Sequence, residues 1–142
     1  MIKQLAIGTI VISISIVIQV LFLGLTIEIL LQLGSWLATP PLLFRSVIAL
    51  ILTVIWLVAG IGISVWLWAG IFLLLKIFSS LEPALYFCTV TFTTLGYGDI
   101  TLDKRWRLLS SLIAVNGLII FGINTAFLID LIAKLLTSLT SV

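Results

Sequence analysis

The residues with the clearest chemical potential form one short run, residues 93–99, which reads Thr-Thr-Leu-Gly-Tyr-Gly-Asp. In this glycine run, Gly96 and Gly98 alternate with larger residues, and glycine adopts positive φ at little steric cost. A backbone that alternates in handedness points successive carbonyl groups toward one axis. Such a row of carbonyl oxygens can replace the water shell of a cation. We find no pairing of a nucleophile with a base, so catalysis is not expected.

The rest of the chain has the composition of an integral membrane protein. Only 8% of the 142 residues are charged, 63% are apolar, and the mean hydropathy is +1.45. A soluble domain of this size could not bury so much apolar surface. The composition therefore excludes a soluble globular domain and a disordered chain. Seven basic residues are too few for a nucleic-acid-binding patch, and the lack of histidine disfavours a zinc site.

Three stretches without charge are each long enough to cross a bilayer as a helix, which needs about 20 apolar residues. We predict spanning helices at residues 4–33, 46–77 and 107–135. The first apolar run is too long for a cleaved signal peptide. The second could be two shorter spans hinged at residues 60–62, but one long helix is favoured because membrane helices tolerate glycine.

Between the last two spans, the sequence predicts a segment that enters the membrane without crossing it. A short helix is expected at about residues 82–93, because Glu82 and Pro83 suit a first helical turn. The glycine run would follow as an extended strand. Non-helical backbone at membrane depth is tolerated only where it lines a cavity or is buried in protein.

The glycine run resembles the selectivity filter of the potassium-channel pore-domain family, with Leu95 in place of the usual valine. The resemblance covers residues 46–136 and implies an all-α membrane protein with three transmembrane helices, a re-entrant pore helix and a filter loop. It also implies a homotetramer, because four loops surround the ion in that family. The expected function is passive conduction of K⁺, with K⁺ as the permeant ion and no cofactor.

The resemblance also assigns expected roles to individual residues. K⁺ would be bound by the backbone carbonyls of Thr94, Leu95, Gly96 and Tyr97, and Gly98 completes the filter. Support for the filter is expected from Asp99, bonded to Tyr86, and from Thr91, bonded to Tyr97. Phe87 replaces a frequent tryptophan and has no donor, so fewer braces are expected around the filter. The residues named in this paragraph are all read from the printed sequence.

The third span resembles the inner helix of the same family. Gly117 lies where that family commonly has a flexible glycine, so we expect either a hinge or close packing against the outer helix. A set of residues spaced by three or four shares one helix face and is expected to line the inner cavity. This set is Leu118, Phe121, Thr125, Ile129 and Ala133.

These assignments divide the chain into an N-terminal helix with its linker, residues 1–45, and a pore domain, residues 46–142. The pore domain comprises an outer helix at 46–77, a pore helix and filter at 80–100, and an inner helix at 107–136. We expect the cell membrane as location, with the filter facing outside. Three spans then place the N-terminus outside, together with Lys104, Arg105 and Arg107. The positive-inside tendency favours the opposite orientation.

A few charged residues support other interpretations. Glu28 could be the carrier carboxylate of a proton-coupled exporter, or it could be solvated at the interface or paired with Arg45. An accessory subunit of another channel is a further alternative. Asp130 and Lys134, four residues apart, are expected to pair. Cys88 is expected to be a buried packing residue.

Overall fold

The computed structural model describes residues 2–37 and 39–140 as an assembly of α-helices, with no strand in these ranges. The helices are α1 (Ile2–Gln32), α2 (Gly34–Leu37), α3 (Leu42–Leu74), α4 (Leu81–Phe92) and α5 (Arg107–Thr140). Three of them, α1, α3 and α5, are long and apolar enough to cross a membrane. The predicted all-α class with three spans is confirmed.

Helix α3 starts and ends earlier than predicted. It starts at Leu42 rather than residue 46, directly after the N-cap residue Pro41, because Arg45 is accommodated in its first turn. It ends at Leu74 rather than residue 77, because Lys76 adopts a left-handed φ of 54°. The amides of Lys76 and Ile77 then bond to the carbonyls of the last turn, at 2.9 Å each, in a Schellman arrangement.

The same helix is continuous through residues 60–62, so the alternative with four spans is wrong. Helix α5 also extends further than predicted, to Thr140 rather than residue 136. Helix α4 lies within one residue of the predicted short helix. Its 12 residues span about 18 Å, well short of the ~30 Å hydrocarbon layer. It therefore cannot cross the membrane and needs the surrounding helices for its position.

Helix α4 is held between α3 and α5 by a buried apolar core. Aromatic side chains dominate the contact with α3: Phe72 and Phe87 have ring centroids 5.8 Å apart, and Phe78 lies 5.5 Å from Phe87. On the other side, Phe92 packs against Phe121 of α5. The core is completed by further buried residues, which include Val65, Trp68, Ala84, Cys88, Leu109, Ile113 and Ile120.

Helix α1 lies in the groove between α3 and α5. It runs parallel to α5, since Gln4 bonds to the carbonyl of Arg105 and a Cβ at Gly8 would touch Leu112. It runs antiparallel to α3, where Phe22 stacks on Trp56 with centroids 4.5 Å apart. The buried positions of α1 follow one face, which comprises Gly8, Val11, Ser15, Gln19 and Thr26.

Candidate functional site

The backbone of the glycine run alternates in handedness. Thr94, Gly96 and Gly98 have φ values of 59°, 55° and 77°, whereas Leu95 and Tyr97 are not among the residues with positive φ. The positive φ predicted for the two glycines is confirmed. Every second residue therefore lies in the left-handed region, which is the geometry that allows neighbouring carbonyl groups to point the same way.

Thr94 is the member of this pattern that sequence reasoning missed. A β-branched residue at positive φ is a steric outlier, and such strain costs on the order of 1–3 kcal/mol. Its amide donates to the carbonyl of Thr91 at 3.0 Å, and the amide of Gly96 donates to the carbonyl of Val90 at 3.2 Å. The signal available in the sequence was the two-residue spacing of Gly96 and Gly98. Continued by one step toward the N-terminus, it predicts positive φ at Thr94 as well.

These bonds attach the glycine run to the C-terminal end of α4. The amide of Thr93 also donates to the carbonyl of Thr89, at 3.0 Å, and the Thr93 hydroxyl reaches the same oxygen at 2.9 Å. The last turn of α4 thus provides acceptors for the run. The C-terminal end of a helix carries the negative end of its dipole, which favours a cation placed beyond it.

The glycine run lies open on one side. All its residues, 93–99, are exposed in the single chain, and the side chains of Leu95 and Tyr97 are 57% and 67% exposed. Its backbone joins no sheet within the described ranges. One chain therefore supplies one wall of a site, and its carbonyl oxygens remain free of ladder hydrogen bonds.

The end of the run is tied to α4 by a side-chain hydrogen bond. The Tyr86 hydroxyl donates to the Asp99 carboxylate at 2.7 Å, as expected from the sequence. This bond holds the pKa of Asp99 below its usual value, with help from the backbone amides of Ile100 and Asp99. The expected bond between Thr91 and Tyr97 is not formed in the described residues, where the Tyr97 side chain is largely exposed.

Phe87 braces α4 rather than the glycine run. Its side chain is buried against Phe72 and Phe78, toward α3. The expectation of fewer braces around the glycine run stays a prediction.

The predicted cavity face of α5 is largely free of contacts within the chain. Leu118, Thr125, Ile129 and Ala133 are exposed in the single chain. Phe121 differs, because it is half-buried and meets Phe92 edge-on at 5.9 Å between centroids. Four of the five residues thus share an open face, and the fifth also packs on α4.

Gly117 packs closely, but against α4 rather than against the outer helix. A Cβ at this position would lie 1.8 Å from the carbonyl oxygen of Phe92. The expected partner was wrong because the turn of α5 at Gly117 faces the end of α4, just before the glycine run. Helix α5 continues through Gly117 without interruption.

The charged residues near the other helix ends form local contacts. Glu28 is exposed and accepts from Gln32 at 2.9 Å. The alternative in which Glu28 pairs with Arg45 is wrong. Arg45 donates to the carbonyl of Trp36 at 2.7 Å and stacks on the Trp36 ring. The pair between Asp130 and Lys134 is confirmed, at 2.6 Å. Cys88 is fully buried, as expected.

Sequence reasoning also missed a polar contact between helices. Gln19 of α1 donates from Nε2 to Oδ1 of Asn124 of α5, at 2.8 Å, and both residues are buried. The signal available was the presence of an amide side chain near the middle of each of two charge-free spans.

A family model described as ion channel matches residues 60–134. The match covers more than half of the chain and includes the second part of α3, all of α4, the glycine run and most of α5. The chain belongs to this ion channel family. Among curated proteins and among solved structures, the comparisons find no match.

As an ion channel, the protein is a multi-pass membrane protein of a transport family rather than an enzyme family. The matched region contains the whole of the site described above. Helix α1 precedes the matched residues and packs along α5.

Proposed function

We propose that this ion channel is a homotetramer that conducts K⁺ selectively and passively across the cell membrane. The glycine run would be its selectivity filter, with K⁺ bound by the backbone carbonyls of Thr94, Leu95, Gly96 and Tyr97. The observation that carries the proposal is the alternation of positive φ at Thr94, Gly96 and Gly98. Residues 46–142, which include most of α3 and all of α4 and the described part of α5, would form the pore domain.

The chemistry of the glycine run supports K⁺ as the permeant ion. Residues 94–97 offer backbone oxygens and carry no charged side chain. Carbonyl oxygens replace the hydration shell of K⁺ in the filters that the sequence resembles. Asp99 lies at the end of the run and is engaged by Tyr86. Leu95 changes the packing behind the filter but keeps its carbonyl.

The one-sided exposure of the site supports a tetramer. A single run cannot surround an ion, and both the run and one face of α5 are exposed in the single chain. Four copies around an axis would enclose the filter and turn Leu118, Thr125, Ile129 and Ala133 toward an inner cavity.

The proposed orientation has the filter mouth and the N-terminus outside. Because α1 and α5 run parallel, both begin on the filter side of the membrane. A cysteine introduced at Lys3 should react with an impermeant thiol reagent from outside in intact cells. Reaction from the cytoplasmic side alone would reverse the orientation.

Flux through reconstituted vesicles tests the function. Purified protein should give barium-blockable flux that strongly favours K⁺ over Na⁺. Gly96→Ala should abolish this flux with tetramers intact, because alanine is strained at a φ of 55°. Gly62→Ala is the matched control, since its Cβ would meet nothing within 4 Å. Equal Na⁺ flux would refute selectivity, and a requirement for a proton gradient would support an exporter. Flux only with another channel present would indicate an accessory subunit.

A further inference from the structure

The contact between Gln19 and Asn124 is a polar connection inside the membrane-spanning segments. Gln19 is 0% exposed and Asn124 is 6% exposed, and Nε2 of the first donates to Oδ1 of the second at 2.8 Å. Hydrocarbon offers no competing partner to an amide, so such a bond helps to tie one membrane helix to another. It joins α1, which precedes the matched family region, to the inner helix α5.

Helix α3 makes room for this contact through Gly60. A Cβ at Gly60 would lie 2.7 Å from Oε1 of Gln19 and 3.1 Å from the ring of Phe22. Any side chain there would displace the amide or the ring. Two residues further along, a Cβ at Gly62 would meet nothing within 4 Å. The three spanning helices therefore meet at the level of Gln19, and the small residue is needed only at Gly60.

Two of the four polar atoms in this amide pair form a hydrogen bond within the described part of the chain. Oε1 of Gln19 and Nδ2 of Asn124 have no hydrogen-bond partner in the described part of the chain. Two side-chain amides can share two hydrogen bonds, and an unmade bond between buried groups is unfavourable. A small displacement of α5 relative to α1 would therefore gain the second bond or lose the first, which favours discrete positions of α5.

Asn124 is well placed to transmit such a displacement. It precedes Thr125, which belongs to the open face of α5, and it lies seven residues beyond Gly117, which packs on Phe92. Helix α5 is thus held by α4 at Gly117 and by α1 at Asn124. A change at the second point moves the part of α5 that would line the cavity, while the glycine run stays attached to α4.

We propose that Gln19 and Asn124 form a latch through which α1 sets the position of α5, and with it the balance between open and closed channels. Both are positioning residues, because they act through α5 and do not touch the ion. The inference rests on the proposed channel function. It assigns to α1 a role in gating rather than in conduction.

A double-mutant cycle in single-channel recordings tests the latch. Gln19→Leu, Asn124→Leu and the double variant are compared by the ratio of open to closed time in planar bilayers. The ratio for the double variant should differ from the product of the two single effects. The expected difference is about threefold if one Gln19–Asn124 pair acts alone, or about 80-fold if four pairs act together, as estimated from interhelical hydrogen bonds in membranes. The selectivity for K⁺ over Na⁺ should stay unchanged. Additive effects, or an unaltered ratio, would overturn the latch.

Gly60→Ala provides an independent test that keeps both amides. It should shift the ratio in the same direction as Gln19→Leu. Its effect should be smaller in a Gln19→Ala background, where only the contact with the Phe22 ring remains. Gly62→Ala is the matched control and should leave the ratio unchanged.

If Gln19→Leu does not assemble, Gln19→Asn withdraws the amide by one methylene and must produce the same shift for the latch to stand. Lack of conduction by the natural sequence would refute the channel function, whereas conduction with an additive cycle would refute the latch alone.

Discussion

Replacing Gly117 by alanine should separate tight packing from a hinge. The added Cβ would lie 1.8 Å from the carbonyl oxygen of Phe92, whereas real Cβ atoms essentially never approach other heavy atoms closer than 3.0 Å. The difference, 3.0 − 1.8 = 1.2 Å, is the least distance by which α5 and the end of α4 must separate. The obstacle is backbone rather than a flexible side chain, so relaxation requires a helix to move.

The expected cost is that of overpacking a core, about 1–3 kcal/mol in each subunit. Gly122→Ala is the matched control, because it lies on the same helix and its Cβ would meet nothing within 4 Å. We expect Gly117→Ala to lower the melting temperature of the detergent-solubilised channel, and Gly122→Ala to leave it unchanged or raise it. Because Phe92 directly precedes the glycine run, ion flux should fall as well.

A hinge would give a different result. If Gly117→Ala keeps the melting temperature and the flux of the control while the open time changes, flexibility rather than close approach is the reason for glycine at this position. That outcome would refute the packing argument.

Two further predictions concern α4. Tyr86→Phe removes the hydrogen bond that holds the pKa of Asp99 down, so the pKa should rise toward its usual value. The stabilising contribution of ionised Asp99 is lost as the pH falls through its folded pKa, so acid inactivation of the flux should begin at a higher pH in Tyr86→Phe. If acid inactivation begins at the same pH in both proteins, the hydrogen bond from Tyr86 does not set the pKa of Asp99. Phe87→Trp enlarges a side chain packed between Phe72 and Phe78, and overpacking by about 1–3 kcal/mol should lower the melting temperature. A longer open time without loss of stability would instead support the expectation that Phe87 leaves the glycine run with fewer braces.

The sequence was sufficient for the features that depend on local chemistry. Lengths of charge-free chain predicted three spans, and the spacing of Gly96 and Gly98 predicted their positive φ. The bond between Tyr86 and Asp99 was anticipated from the resemblance to a known filter. Each of these features depends on residues close together in sequence or on a recurring motif.

Features that depend on how helices face one another were not predictable in the same way. Gly117 was expected against the outer helix, but its neighbour depends on the rotation of α5 about its own axis. Arg45 contacts the nearby carbonyl and ring of Trp36 rather than Glu28. The spacing of these residues along the sequence does not determine which of the two Arg45 contacts. The contact of Gln19 with Asn124 bridges 105 positions of sequence and requires the parallel docking of α1 on α5.

The attachment of the glycine run to α4 has a consequence for assembly. The amides of Thr93, Thr94 and Gly96 already bond to carbonyls of the same chain, and the Tyr86 hydroxyl already holds Asp99. Ordering a residue's backbone costs about 1–2 kcal/mol of conformational entropy, and here that ordering belongs to the folding of one subunit. Association then brings together segments whose backbone is already ordered. Less of the binding free energy is therefore consumed in ordering loops when the subunits associate.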